Sequence, residues 1–262
     1  MTEKNFIERA EEIVPPVNDS KYKRILAIGD VHGAFERLES LLEKISVTNS
    51  DLVIFLGDYF GDYDKKNLET LLRLAELNER ENFIILRGNI DENLMETFAE
   101  ELEYTGEIIF RYFFHSQPEL LKACKQNVPK ILLNFLKDLP TYYSITIGGK
   151  KYFLCHASVD PYSEKPLEEQ DDEWFVDPYG DLYKYFYQDY AGEALIVVGH
   201  KSPKKILREF PELFKDGTDN IDPTKPLKIP DKNILMLDTG AKDDDGRLSC
   251  VDILSGQFWQ SN

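Results

Sequence analysis

Short apolar runs recur along this chain, and each stops at a small residue or an arginine followed by a polar one. Ile25-Leu26-Ala27-Ile28 leads to Gly29-Asp30-Val31-His32-Gly33, and Leu52-Val53-Ile54-Phe55-Leu56 leads to Gly57-Asp58. Phe83-Ile84-Ile85-Leu86 leads to Arg87-Gly88-Asn89, Tyr152-Phe153-Leu154 to Cys155-His156, and Leu195-Ile196-Val197-Val198 to Gly199-His200. Runs this short, bounded by glycine, read as buried strands. Between the first three, helical spacing takes over. Leu38, Leu41, Leu42 and Ile45 share one face of a helix over 34–45, and Leu68, Leu71, Leu72 and Ala75 one face over 67–78. A third helix is expected from about Glu92, and 103–140 reads as mostly helical. Alternation over 141–147 and 150–154 flanks Gly148-Gly149, a hairpin signal. Pro203 to Phe210 reads as a short helix, and 211–232, with four prolines, as a long surface loop. Strands over 234–237 and 248–254 close the chain around a turn at Asp245-Gly246. Tyr179, Tyr183 and Tyr187, four apart, with Phe186 and Tyr190 nearby, make an aromatic stripe that either packs on a sheet or walls a pocket.

Composition narrows this to one globular α/β domain. With 262 residues, 42% hydrophobic and 12% aromatic, the chain can bury one substantial core and does not read as disordered. Residues 1–22 read as an N-terminal extension with a Pro15-Pro16 linker, and 23–262 as the domain. No apolar stretch nears the ~20 residues of a membrane span. A net charge of -17 disfavours extended contact with nucleic acid or anionic membranes. A small phosphate ester stays compatible, because bound metal ions invert the local field. Three cysteines suggest no disulfide framework, and without an export-type segment the expected compartment is the reducing cytoplasm. Oligomeric state is open.

The chemistry lies at the ends of the apolar runs. Sites in α/β sheets form in the crevice outside the carboxyl ends of the strands. Five strand ends then bring Asp30, His32, Asp58, Asn89, His156 and His200 together, enough oxygen and nitrogen donors for two metal ions. Singly, each has a plainer reading as a hydrogen-bonded loop histidine or a turn or cap residue. His115 has no motif around it and reads as an ordinary loop or core residue. The acidic runs, such as 171–173 and 243–245, read as solvated turns.

The ordered blocks Gly29-Asp30-Val31-His32-Gly33, Gly57-Asp58, Gly88-Asn89, His156 and Gly199-His200 resemble those of the calcineurin-like metallophosphoesterases. The resemblance covers about Arg24 to Leu254. Residues 82–89, 237–241 and 246–249 look like the bacterial serine/threonine protein phosphatase branch. It implies a four-layer α-β-β-α sandwich. It also implies two divalent cations (manganese, iron or zinc), one held by Asp30, His32 and Asp58, the other by Asp58, Asn89, His156 and His200. Asp58 would bridge them, and a metal-bridging hydroxide would attack the phosphorus of a mono- or diester.

The pattern also departs from that branch. Asp62 stands where a phosphate-gripping arginine is expected, and Ile90-Asp91 where a general-acid histidine is. Trp174 is followed by Phe175-Val176-Asp177 with no second arginine. Gly88-Asn89-Ile90-Asp91 is similar to the Gly-Asn-X-Asp form of small phosphodiesterases. Asp91 or Asp62 becomes the candidate proton donor, with a solvated acid or helix cap as the plainer reading, and Arg87 either reaches the site or pairs with a structural carboxylate. Two other outcomes fit: a catalytically weak binding module, or a hydrolase of dinucleoside polyphosphates or cyclic nucleotides.

Overall fold

The computed structural model describes residues 21–62, 65–105, 128–214 and 221–262. His115, Cys124 and most of the N-terminal extension lie outside them. Among these described residues, ten strands form two five-stranded sheets. The first has the order β10-β9-β1-β2-β3, with β1 Arg24–Ile28, β2 Asp51–Phe55, β3 Phe83–Ile85, β9 Ser249–Asp252 and β10 Phe258–Gln260. The second has the order β4-β5-β6-β8-β7, with β4 Tyr142–Ile147, β5 Lys150–Cys155, β6 Leu195–Val198, β7 Leu227–Lys228 and β8 Ile234–Met236. Each sheet holds three parallel strands, β1-β2-β3 and β5-β6-β8, with antiparallel partners completing it.

The strands are apolar throughout because both of their faces are covered. Ile25, Ala27, Leu52, Ile54 and Leu56 meet Tyr143, Tyr152, Leu154, Leu195 and Val197 between the sheets. The alternate residues Leu26, Ile28, Val53 and Phe55 pack on helices α1 (Phe35–Ile45), α2 (Asn67–Asn78), α3 (Asn89–Thr105) and α4 (Val128–Lys137). Phe153, Cys155, Ile196 and Val198 pack on the far side against Phe175 of α5 (Asp172–Val176), α6 (Tyr183–Asp189) and α7 (Pro203–Glu209). Period-2 side-chain alternation therefore splits each strand between two cores. The four-layer expectation is met. Among the described residues, no helix is long and apolar enough to cross a membrane.

Three details depart from the sequence reading. The strands over 234–237 and 248–254 do not pair around Asp245-Gly246: β8 lies parallel to β6 in the second sheet, β9 antiparallel to β1 in the first. The connection crosses between sheets, a choice that local alternation does not encode. Helix α3 begins at Asn89, not near Glu92, so its first residue is a candidate ligand. The aromatic stripe also ends early. Tyr183, Phe186, Tyr187 and Tyr190 are buried on the second sheet, whereas Tyr179 is 85% exposed. Gly180, at a φ of 74°, breaks the helical period between them.

Candidate metal centre

The carboxyl ends of all six parallel strands converge. Asp30 and His32 follow β1, Asp58 follows β2, Asn89 follows β3, His156 follows β5 and His200 follows β6. Asp238 follows β8, the sixth, where its carboxylate accepts the Gly240 N–H at 3.0 Å and acts on Asp30, a role the sequence did not mark. Two groups of donors form, Asp30 with His32 and Asp58, and Asp58 with His156 and His200. Within each, the ligand atoms lie within 4.8 Å of one another, and Asp58 belongs to both.

Backbone geometry sets this convergence. His32, Asp58 and His200 all hold a positive φ of 48°, 55° and 65°. Aspartate and histidine tolerate this left-handed region better than most residues, at a cost of ~1 kcal/mol or more each. Gly199 permits a close approach: a Cβ there would sit 2.0 Å from Asp30 Oδ1. The His200 backbone N–H instead donates to both Asp30 oxygens at 3.1 and 3.0 Å, tying the two sheets together.

Hydrogen bonds around the histidines fix their tautomers. His156 Nδ1 lies 3.0 Å from the Leu56 carbonyl and His32 Nδ1 3.2 Å from the Phe60 carbonyl. A carbonyl only accepts, so both Nδ1 atoms carry the proton and both Nε2 atoms present a lone pair. His200 Nε2 lies 3.2 Å from Asp177 Oδ2, an ion-pair distance, though bent away from a regular hydrogen bond. That leaves Nδ1 as its lone pair.

These lone pairs meet one another. Asn89 Oδ1 is 2.9 Å from His156 Nε2 and 3.0 Å from His200 Nδ1, and the two nitrogens are 3.1 Å apart. His156 Nε2 is also 3.4 Å from Asp58 Oδ1. His32 Nε2 faces Asp30 Oδ2 at 3.7 Å and Asp58 Oδ2 at 3.9 Å. Acceptors crowd together with no proton between them, which is the environment a cation relieves. Burial holds His156 down at about 3 and His200 at about 4, so both are neutral at neutral pH, the ligating form. Burial, with Asp238 and Asp58 alongside, pushes the Asp30 carboxyl well above the usual range. The donor set therefore fits a divalent pair: amide and carboxylate oxygen with imidazole nitrogen, and too much negative charge without counter-ions.

Asp91 and Arg87 are placed differently. Asp91 is fully buried and accepts the backbone N–H of Asp58 at 2.8 Å, Tyr59 at 2.9 Å and Gly88 at 2.9 Å. Burial and neighbouring Asp58 push its carboxyl up to about 8, against those donors. Cations neutralising Asp58 remove part of that push, and the three donors then favour the carboxylate. Arg87 pairs with Glu92 at 2.9 Å and touches Met95 Sδ at 3.6 Å. It lines a cleft of roughly 210 Å³ with Glu92, Glu96, Asp172, Glu173 and Tyr179. Asp62 is exposed on the loop after Asp58, outside both donor groups.

Asp177 is another residue the sequence did not mark. It is buried, holds a φ of 51°, and accepts the N–H groups of Asp181, Leu182 and Tyr183. One carboxylate thus starts helix α6 and faces His200. Sidedness toward His200 depends on a contact 23 positions away, for which no local pattern exists.

Comparison with known proteins follows the same lines. A profile of the calcineurin-like phosphoesterases matches residues 23–223. The chain is 29% identical over 142 residues to serine/threonine-protein phosphatase 2 of Salmonella typhimurium, covering 54% of this chain and 61% of that protein. It is 38% identical over 136 residues to the symmetrical bis(5'-nucleosyl)-tetraphosphatase of Buchnera aphidicola, covering 52% of this chain but 44% of that relative. The matches thus span less than two thirds of either relative. A crystal structure provisionally named a diadenosine tetraphosphatase superposes with a TM-score of 0.60 at 19% identity, over 94% of this chain and 95% of that one.

Proposed function

Because the chain belongs to the calcineurin-like phosphoesterase family, we propose that it hydrolyses a phosphate ester at a dinuclear divalent metal centre. One observation carries this reading: two clusters of buried lone pairs share Asp58, with both Nδ1–H groups tied off by the Leu56 and Phe60 carbonyls. In this reading Asp30, His32 and Asp58 hold one cation, and Asp58, Asn89, His156 and His200 the other. Asp58, shared by both donor groups, would set its charge between two cations that would otherwise repel strongly. Bound there, the cations make coordinated water acidic and draw off charge from phosphoryl oxygens. Manganese, iron or zinc suits these mixed donors better than calcium.

The protein's own part is positioning. Leu56 and Phe60 orient two imidazoles, and Asp177 faces the third. Asp91 takes the role of a clamp on the loops carrying Asp58 and Asn89, not that of a proton donor. Arg87 stands at the rim beside Glu92. The reading includes a reducing cytoplasm, in keeping with Cys155 and Cys250 as buried free thiols.

A nucleotide phosphoanhydride is the second reading, supported by the similarity to the Buchnera tetraphosphatase. Elemental analysis of the purified protein, then a manganese-supplemented panel of aryl monoester, aryl diester and dinucleoside tetraphosphate, tests both. Asp58→Asn and His156→Ala are expected to lose bound metal and all metal-dependent hydrolysis. Full metal content and turnover in both variants overturns the centre. A wild type that binds metal but turns nothing over makes it a binding module.

A further inference from the structure

Two lysines act on this centre among the described residues: exposed Lys242, on Asp30, and the more buried Lys201. Lys201 follows His200 directly, in a tight turn where its N–H donates to the Gly199 carbonyl at 2.7 Å. Its half-buried side chain lies over the Tyr183 ring, with Nζ 4.6 Å from the centroid. That ring is in turn 6.2 Å from the His200 ring. Its charge acts on both His156 and His200, and it feels Asp177, Asp58 and Asp30. Yet among the described residues no carboxylate comes within ion-pair distance of the ammonium. Neighbouring Lys205, 5.1 Å over the same ring, has Glu209 at 3.9 Å.

A positive charge beside a site built for cations repels whatever is bound there, unless an anion comes between them. The chain also lacks the two arginines expected to grip phosphate, and Asp62 stands in place of one. An unpaired ammonium, steadied by an aromatic face, is suited to that work as a point charge. We propose that Lys201 binds the non-bridging oxygens of the substrate's phosphoryl group, so that the site prefers a dianionic monoester over a monoanionic diester. This rests on the phosphoester reading of the same crevice.

The test compares wild type, Lys201→Met, which keeps the stem over Tyr183, and Lys201→Arg. Exposed Lys204→Gln serves as the control for net charge. The readouts are kcat and KM for p-nitrophenyl phosphate and its bis-ester with manganese, and calorimetric binding of inorganic phosphate to the manganese-loaded protein. Lys201→Met is expected to raise the monoester KM and the phosphate Kd roughly tenfold, the loss of one charge-assisted contact. Its kcat and manganese content stay near wild type, and the diester KM moves much less. Lys201→Arg restores most of the loss, and Lys204→Gln changes neither constant. If Lys201→Met fails to fold, Lys201→Gln takes its place. Equal phosphate affinity in wild type and variant overturns the inference, as does a loss in kcat alone, which marks proton donation instead. If the wild type turns over neither ester, the phosphoester reading fails, and phosphate affinity still decides Lys201.

Discussion

Asp91→Asn separates a clamp from a proton donor. The wild-type carboxylate receives three backbone N–H groups, two on Oδ2 and one on Oδ1. Asparagine must turn an NH2 toward at least one of them. One charge-assisted bond is then lost, worth roughly 1.5–3 kcal/mol, and one buried donor faces another, costing roughly 1–3 kcal/mol. The sum is about 3 kcal/mol, because neighbouring loops relax in part. For a chain of this size each kcal/mol lowers Tm by roughly 2–4 °C, so Tm should fall by about 6–12 °C. With the amide oxygen kept on Asp58 and Gly88 the Tyr59 N–H loses its acceptor, the loop that carries Asp58 loosens, and manganese affinity should fall with Tm. Differential scanning calorimetry of the manganese-loaded protein, where the donors favour the Asp91 carboxylate, measures the first effect, and titration calorimetry the second. A proton donor behaves otherwise: Tm and metal affinity hold while kcat drops by ~10² to 10⁴. That second pattern refutes the clamp.

Two further outcomes are expected. Asp177→Ala frees the Nε2 side of His200 and should weaken manganese binding roughly 10–100-fold, the usual cost of losing an orienting partner, seen by titration calorimetry; unchanged affinity rejects its positioning role. Asp51, whose side chain is 3% exposed, is held at about 2 by hydrogen bonding to Arg24 and by Thr48. Its folded-state value lies below the unfolded one near 4, so the pair's contribution is complete above about pH 4 and is lost as pH falls through 2. With Arg24 27% exposed, about 1–2 kcal/mol is at stake; Asp51→Asn should flatten the fall of Tm between pH 4 and 2, and an unchanged slope rejects the assignment.

The convergence of the six candidate donors was legible because each follows a strand buried on both faces, where an apolar run stops abruptly at a polar side chain. Asn67–Asn78 and the Lys150–Cys155 hairpin arm were legible for the same reason: their periodicity is local. Residues whose work is done at a distance were not. Asp91 is marked by its place in Gly88-Asn89-Ile90-Asp91, but as a proton donor, and only the fold shows the three N–H groups around it. Asp177 and Lys201 depend on contacts between separate elements. Strands β8 and β9 carry strand patterns, but the pattern does not say which sheet each joins.

His156 leaves the second sheet to reach the Leu56 carbonyl of the first, and Asp30 leaves the first to hold the His200 amide of the second. The pocket is thus the seam along which two halves of the molecule are riveted. A cation pair held there would draw its donors from both sheets, so its loss would loosen one sheet against the other, not merely one loop. Binding ions at that seam and holding the two sheets together would then be one equilibrium seen from two sides.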